Sequence, residues 1–274
     1  MNNEKNVLVS IVTVCYNSSA TIEDTIKSVV GQTYQNWEHI IIDGGSTDST
    51  LDIVKSYEDA YKGRLRVYQG PDKGIYDAMN KGINYSKGTI IGIINSDDWY
   101  AVDALEHIVG KYQEQSSEEV IITGGLNRVD NGKIRYTQLH SSISTDALKK
   151  GMALQHPAVF VAKKVYDRIG CFDLSFPHIA DYDFIWKCYA DGGVKFLFVK
   201  EVVSFMRDGG VTDRLSYKHI KSRATERYRL RKRYLPKHEA FTTSLVFFIK
   251  EMTSQFLKKV VGKETMRKLH AALR

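Results

Sequence analysis

Residues 7–15 (VLVSIVTVC) form a nearly unbroken apolar, β-branched run, the pattern of a strand buried on both faces. The period then changes. Ile22, Ile26, Val29 and Val30 recur at helical spacing up to Gly31, with Ser18 and Ser19 offering an N-cap. Residues 37–42 predict a second strand, and Asp43-Gly44-Gly45-Ser46-Thr47-Asp48 a turn into a helix using Leu51, Val54 and Tyr57. Residues 65–68 predict a third strand. Beyond Gly70-Pro71-Asp72-Lys73-Gly74, a helix places Ile75, Ala78, Met79 and Ile83 on one face. Residues 89–94 predict a fourth strand, followed by a helix using Ala101, Leu105, Ile108, Val109 and Tyr112.

The pattern loosens after Gly110. Residues 120–123, 134–137 and 158–162 predict strands, 163–169 a short helix closed by Gly170, and 181–190 a helix with Ile185, Trp186 and Tyr189. Residues 196–199 and 202–206 predict two more strands. Apolar strands alternating with helices imply an α/β fold whose mainly parallel sheet is covered by helices on both faces. Ligands bind such sheets at the carboxyl ends of the strands. Those ends carry Tyr16-Asn17, Asp43-Gly44, Asp72-Lys73 and Asp97-Asp98, four polar groups on one rim.

The last pair changes the chemical picture. The apolar run Ile90-Ile91-Gly92-Ile93-Ile94 delivers two adjacent carboxylates, which repel and which a low-dielectric core penalises. A solvated turn capping the next helix is the plainer reading of any lone Asp-Asp pair. With three further polar strand ends beside it, the pair reads as a hard-oxygen site suited to Mg2+ or Mn2+ held jointly with a phosphorylated ligand. No Gly-x-Gly-x-x-Gly follows the first strand, and no Gly-x-x-x-x-Gly-Lys-[Ser/Thr] occurs anywhere.

The stretches VSIVTVCYN, IIDGGSTDST, GPDKGIYDAMNKGI, GIINSDDWY, HPAVFVAKKVYDRIGCFD and ADYDFIWK, in that order, resemble family 2 glycosyltransferases of the GT-A fold. The likeness runs over about residues 7–210 and is greatest to bacterial enzymes that build surface polysaccharides. It implies a GT-A catalytic domain over residues 1–212. Cys15, Tyr16 and Asn17 would line a nucleotide pocket, with Asp43 bonding the base. Asp97 would touch ribose or a metal-bound water, and Asp98 would ligate the metal. Lys73 and Asn80 would contact diphosphate or sugar. Inverting transfer needs a base for the acceptor hydroxyl. The family's Glu-Asp pair corresponds to Ala180-Asp181, which assigns Asp181 as the base, leaves Asp183 as the alternative, and removes the first acid. His156 falls where the family handles its acceptor, and Arg207-Asp208-Gly209-Gly210 could close over the donor. The implied activity moves a sugar, most simply from a UDP-sugar, to a lipid-linked oligosaccharide. A sugar-phosphate nucleotidyltransferase and an inactive membrane-docked scaffold are the alternatives.

Composition adds a location. The 274 residues are 43% hydrophobic with only four prolines, which favours one substantial domain with an appendage. The opening residues lack the features of a signal peptide, and no apolar run reaches the ~18 residues of a membrane span. Cys15, Cys171 and Cys188 are scattered and read as reduced cytosolic thiols. From residue 214 onward, 17 Lys/Arg face 4 Glu, a net of +13, whereas the preceding 213 residues carry −6. Within this tail (213–274), Leu245, Phe248, Ile249, Met252, Phe256, Val260 and Val261 make an apolar stripe at helical spacing. A basic amphipathic helix suits an anionic bilayer, placing the protein at the cytoplasmic face of the cell membrane. Packing on the catalytic body or in a homodimer is the alternative; the acidic body argues against nucleic acid.

Overall fold

A computed structural model describes residues 6–208 and 217–260, which fall into two compact units divided between Gly210 and Val211. In the first unit, β1 (Val9–Cys15) is buried at every position, as its unbroken apolar run requires. Next come α1 (Ile22–Val30), β2 (Trp37–Asp43), α2 (Thr50–Ser56), α3 (Glu58–Tyr61) and β3 (Leu65–Gln69). Then α4 (Ile75–Tyr85) leads to β4 (Ile90–Asn95), the short β5 (Trp99–Tyr100) and α5 (Ala104–Gln113). The strands β6 (Val120–Asp130) and β7 (Lys133–Gln138) form a hairpin. After α6 (Thr145–Lys150), a 3-10 turn (His156–Ala158) enters β8 (Val159–Ala162) and α7 (Lys163–Ile169). The unit ends with α8 (Ala180–Asp191) and β9 (Lys195–Arg207).

These strands make one mixed nine-stranded sheet in the order β3-β2-β1-β4-β8-β6-β9-β5, with β7 paired to β6. The first four are mutually parallel, so their carboxyl ends share one rim. β8 runs antiparallel to both β4 and β6, and β9 runs parallel to β6. The chain leaves β1 toward β2 and β3 on one side and returns to β4 on the other. The β1–β4 boundary is therefore the switch point, where an open α/β sheet leaves a crevice.

Packing explains why the rim is rigid. Ile11, Ile40, Ile41, Ile91 and Ile94 are completely buried. Truncating one such residue to alanine typically costs about 2–5 kcal/mol. α4 lies close against β1 because Gly82 has no side chain: a Cβ there would meet Val12 Cγ1 at 2.2 Å. Some of the polar groups buried within this core are bonded to one another. His39 bonds Tyr61 Oη through Nδ1 and Thr13 Oγ1 through Nε2, each at 2.8 Å, and complete burial pushes its pKa down to about 3.

Two expected features differ. α1 begins at Ile22 with Thr21 at the N-cap and no side-chain cap; Ser18 instead gives its amide to Thr50 Oγ1 at 2.7 Å. Residues 196–199 and 202–206 are one strand, β9, and the polar interruption between them is a register shift opposite Gly124 and Gly125. A Cβ on Gly124 would meet Val203 Cγ1 at 2.6 Å, so the close approach needs glycine. A break in apolar periodicity marks a bulge here rather than a turn.

The described part of the second unit is a helical pair, α9 (Tyr217–Tyr234) and α10 (Lys237–Val260). Arg227 lies over the Phe247 ring at 4.0 Å, Tyr228 meets Phe241 edge-on, and Arg231 bonds Ser244 Oγ at 3.3 Å. Phe241, Leu245, Ile249 and Phe256 are exposed along one side of α10. The Val261 position, the Val260 side chain and Gly209-Gly210 lie outside the described residues. No described helix is long and apolar enough to cross a membrane.

Candidate active site

The rim is held together by hydrogen bonds between successive strand ends. Asn17 adopts a left-handed conformation (φ 49°), which asparagine tolerates better than most residues. This lets its amide donate to Ser46 Oγ and its side-chain oxygen accept from the Thr47 amide, both at 2.8 Å. Cys15 accepts the Gly44 amide at 2.9 Å through its carbonyl oxygen. Ser96 Oγ donates to Ser18 Oγ at 2.8 Å, joining the β4 end to the β1 loop across the switch point. Gly44 sits between two rim residues: a Cβ would lie 3.3 Å from Asp72 Oδ2 and 3.5 Å from the Tyr16 ring. Tyr16 is 63% exposed, so its ring is open for stacking.

Asp43 does something other than expected. It is completely buried. Its Oδ2 accepts the Gly45 and Ser46 amides at 3.0 and 2.9 Å, and its Oδ1 the Ser46 hydroxyl at 2.5 Å. Cys15 Sγ lies 3.5 Å from the same Oδ1, and burial pushes this thiol far above its ordinary range, with Asp43 adding to the effect. Asp43 therefore folds the Gly44–Ser46 loop, and in this arrangement its carboxylate is not presented to a base. Asp48 has a similar task, held well below the carboxylate range by the Thr50 hydroxyl and by Ser19. Lys73 is exposed, and its amide donates to Asp77 Oδ2 at 3.0 Å.

The Asp97-Asp98 pair stands apart from these satisfied acids. Asp98 is 1% exposed. Burial, and then the charge of Asp97, push its pKa up, and burial does the same to Asp97. Arg207 supplies partial compensation: its amide donates to Asp98 Oδ1 at 3.1 Å and its Nε to the Asp97 carbonyl at 3.3 Å. Arg207 Nη2 is turned away onto Asp24, at 2.6 Å. Asp98 Oδ2 and Asn95 Oδ1 are buried with no hydrogen-bond partner among the described residues. Two orphaned hard oxygens at a strand end fit Mn2+ or Mg2+. No group of three acidic, His or Cys ligands occurs among the described residues, so an ion here needs ligands from water and substrate phosphate. A separate groove of about 710 Å³ runs past Asp24, Lys27, Trp99, Phe205 and Arg207, and contains neither Asp97 nor Asp181.

On the other side of β4, Asp181 occupies the first turn of α8 and lines a small cavity with His156, Ile93, Phe172 and Tyr166. Ile93 lies on the strand that ends at the carboxylate pair, which ties the two acidic sites to one rigid element. Asp181 Oδ1 accepts the Tyr76 hydroxyl at 2.7 Å and the Tyr182 amide at 2.9 Å. Burial lowers the pKa of His156, and the charge of Asp181 opposes that shift. Asp183 is completely buried, with Lys187 Nζ at 3.4 Å, so it faces the interior rather than the cavity. The side chain of Asn80 is engaged with the Phe172 backbone. Its amide donates to the Phe172 carbonyl at 2.9 Å and its oxygen accepts the Phe172 amide at 3.0 Å, clamping the segment before α8 to α4. Tyr76 and Phe172 escaped the sequence reading. The only signal for Tyr76 was an aromatic hydroxyl inside GIYDAMN, beside the apolar face of its helix.

A β3-β2-β1-β4 order, a carboxylate pair at its switch point and an acid opening a helix across β4 define a glycosyltransferase of the GT-A class. Residues 10–172 match the family model for glycosyl transferase family 2, and the chain belongs to that family. Over 216 residues it is 27% identical to the PGL/p-HBAD biosynthesis glycosyltransferase of Mycobacterium bovis (strain BCG / Pasteur 1173P2), covering 78% of this chain and 82% of the relative. Its fold is similar to that of S. aureus TarS 1–349 in complex with UDP-GlcNAc (TM-score 0.64, 17% identity, 94% of this chain, 77% of the other). It is also similar to the mannosyltransferase PcManGT from Pyrobaculum calidifontis in complex with GDP-Man and Mn2+ (TM-score 0.59, 16% identity, 97% and 79%).

Proposed function

We propose that the chain is an inverting, metal-dependent transferase that moves a sugar from a UDP-sugar to a lipid-linked glycan. The observation that carries this reading is the buried Asp98 carboxylate, whose Oδ2 has no partner among the described residues, in the turn just beyond the strand that also lines the Asp181 cavity. The complexes of TarS with UDP-GlcNAc and of PcManGT with GDP-Man and Mn2+ support a nucleotide-sugar and a divalent ion. Asp98 would hold the ion with Asn95 nearby, and a bound divalent cation would neutralise the diphosphate leaving group. Tyr16 stacks on the base, Asn17 shapes the loop around it, and Asp97 meets the ribose side. Lys73 reaches toward the diphosphate from the β3 end.

In the transfer step Asp181 Oδ2 takes the proton of the acceptor hydroxyl as its oxygen attacks the anomeric carbon. The bond from that carbon to the diphosphate oxygen breaks on the opposite face, and the nucleoside diphosphate departs. His156, in the same cavity, orients the acceptor.

The second unit supports this acceptor class. The exposed residues Phe241, Leu245, Ile249 and Phe256 form an apolar strip, and exposed Lys218, Lys221, Arg229, Lys232 and Arg233 give α9 a basic side. This combination suits an anionic bilayer, where a lipid-linked acceptor would reside. Substituting Phe241 and Ile249 by serine should release the full-length protein from phosphatidylglycerol vesicles; unchanged sedimentation would refute the docking.

The transferase reading is tested by incubating the protein and Mn2+ with UDP-, GDP- and dTDP-sugars and measuring nucleoside diphosphate release. UDP-sugar turnover that EDTA abolishes is expected. No turnover across the panel would favour the scaffold reading, to which the buried Ala180, in place of the family's acid, points.

A further inference from the structure

We infer that Tyr76 is a positioning residue for the base: its hydroxyl occupies Oδ1 of Asp181 and leaves Oδ2 to receive the acceptor proton. This inference rests on the proposed role of Asp181. A carboxylate has two competing oxygens and a rotatable terminal bond. At Asp181 the competition is resolved. Oδ1 accepts both the Tyr76 hydroxyl at 2.7 Å and the Tyr182 amide at 2.9 Å, whereas no described residue donates to Oδ2.

The mount of Tyr76 is as telling as its bond. It lies in the first turn of α4, immediately after Gly74, whose φ of 116° is a conformation glycine adopts readily. The loop before that turn carries Asp72 and Lys73 at the donor rim, and the Lys73 amide is tied to Asp77 on α4. One turn further on, Asn80 clamps Phe172, whose ring lies 5.4 Å from that of Tyr76 and 6.3 Å from that of His156. The close seat of Gly82 on Val12 leaves α4 little freedom to slide. A single helix thus begins at the donor loop and holds one oxygen of the base. Nothing in a packing role requires the hydroxyl to be there, since the Tyr76 ring already packs on Phe172.

The test compares full-length wild type with Tyr76→Phe, Asp181→Asn and the double variant, using the UDP-sugar that turns over fastest with Mn2+. Removing a hydrogen bond to a charged group should lower kcat about 10-fold or more, with the donor KM within about twofold of wild type. In the Asp181→Asn background, Tyr76→Phe should change the residual rate by less than about twofold, because the two act as a unit. Incorporating 3-fluorotyrosine at position 76, assayed at a pH low enough to keep its phenol protonated, keeps both ring and donor hydroxyl and should give near wild-type kcat, which also serves if Tyr76→Phe folds poorly. Wild-type kcat in Tyr76→Phe, or equal losses in both backgrounds, would overturn the positioning role while leaving Asp181 as base. Wild-type kcat in Asp181→Asn would instead remove the base assignment. No turnover by wild type with any donor would remove the transferase reading and this inference together.

Discussion

The two sides of β4 treat their acids in opposite ways. On the donor side Asp43 and Asp48 are enclosed by loop amides and hydroxyls, whereas Asp98 Oδ2 is buried with no hydrogen-bond partner among the described residues. On the acceptor side Asp181 has Oδ1 held, and among the described residues none donates to Oδ2. On the proposed function, the first arrangement suits binding of a charged group and the second suits a base held still while it takes a proton. An acid that folds a loop and an acid that does chemistry differ in how many of their lone pairs the protein itself consumes.

The largest effect should come from emptying the donor side. EDTA, or Asp98→Asn, should lower turnover by about 100-fold or more, since a metal supplies several kcal/mol of charge stabilisation. Asp48→Asn should leave metal dependence intact and lower only stability. If both variants behaved alike, the distinction between loop acids and site acids would fail.

Titration sharpens the same contrast. Asp98 has its pKa raised in the folded state by burial and by Asp97. Its contribution to stability is therefore present at low pH and is lost as pH rises above the ordinary carboxylate range. His39 works the other way. Its pKa is depressed to about 3, so stability is full above the ordinary histidine range and is lost as pH falls toward that value. Each should tilt metal-free stability by up to about 1.4 kcal/mol per pH unit within its window. Urea titrations should show the loss of stability toward low pH flattened in His39→Gln, and the loss between the ordinary carboxylate range and about pH 8 flattened in Asp98→Asn.

Smaller effects should separate the two acids of α8. Asp183→Asn disturbs the pairing of a buried carboxylate with the partly exposed Lys187 and should destabilise by about 1–3 kcal/mol in urea. It should leave turnover of the folded protein largely intact; loss of turnover without loss of stability would move the base from Asp181 to Asp183. Smallest of all, Ser96→Ala removes the hydroxyl contact to Ser18 across the switch point, a change of about 0.5–1.5 kcal/mol.

Much of the donor side was legible from the chain. VLVSIVTVC and IIGIIN are so uniformly apolar that only buried parallel strands accommodate them, and their polar ends had to fall on one rim. The antiparallel side was less legible. β5 is two residues long and exists through its pairing with β9, and the bulge at Gly124-Gly125 made one strand look like two. Residue roles were legible only where chemistry was unusual for its place. The adjacent carboxylates announced themselves. Asp43 did not reveal that its own loop would enclose it, and Asn80 and Tyr76 gave no sign of reaching residues more than ninety positions away. α9, with its dense charge, lacked an apolar period because Arg227 and Arg231 themselves fill its buried side.

The central claim is that donor binding and proton abstraction belong to different sides of β4. Asp181→Asn tests it most directly, with UDP affinity measured by calorimetry in Mn2+ beside the transfer rate. The account predicts transfer reduced by about 100- to 10,000-fold and UDP affinity within about twofold of wild type. Transfer retained, or UDP affinity lost in parallel with it, would contradict the account.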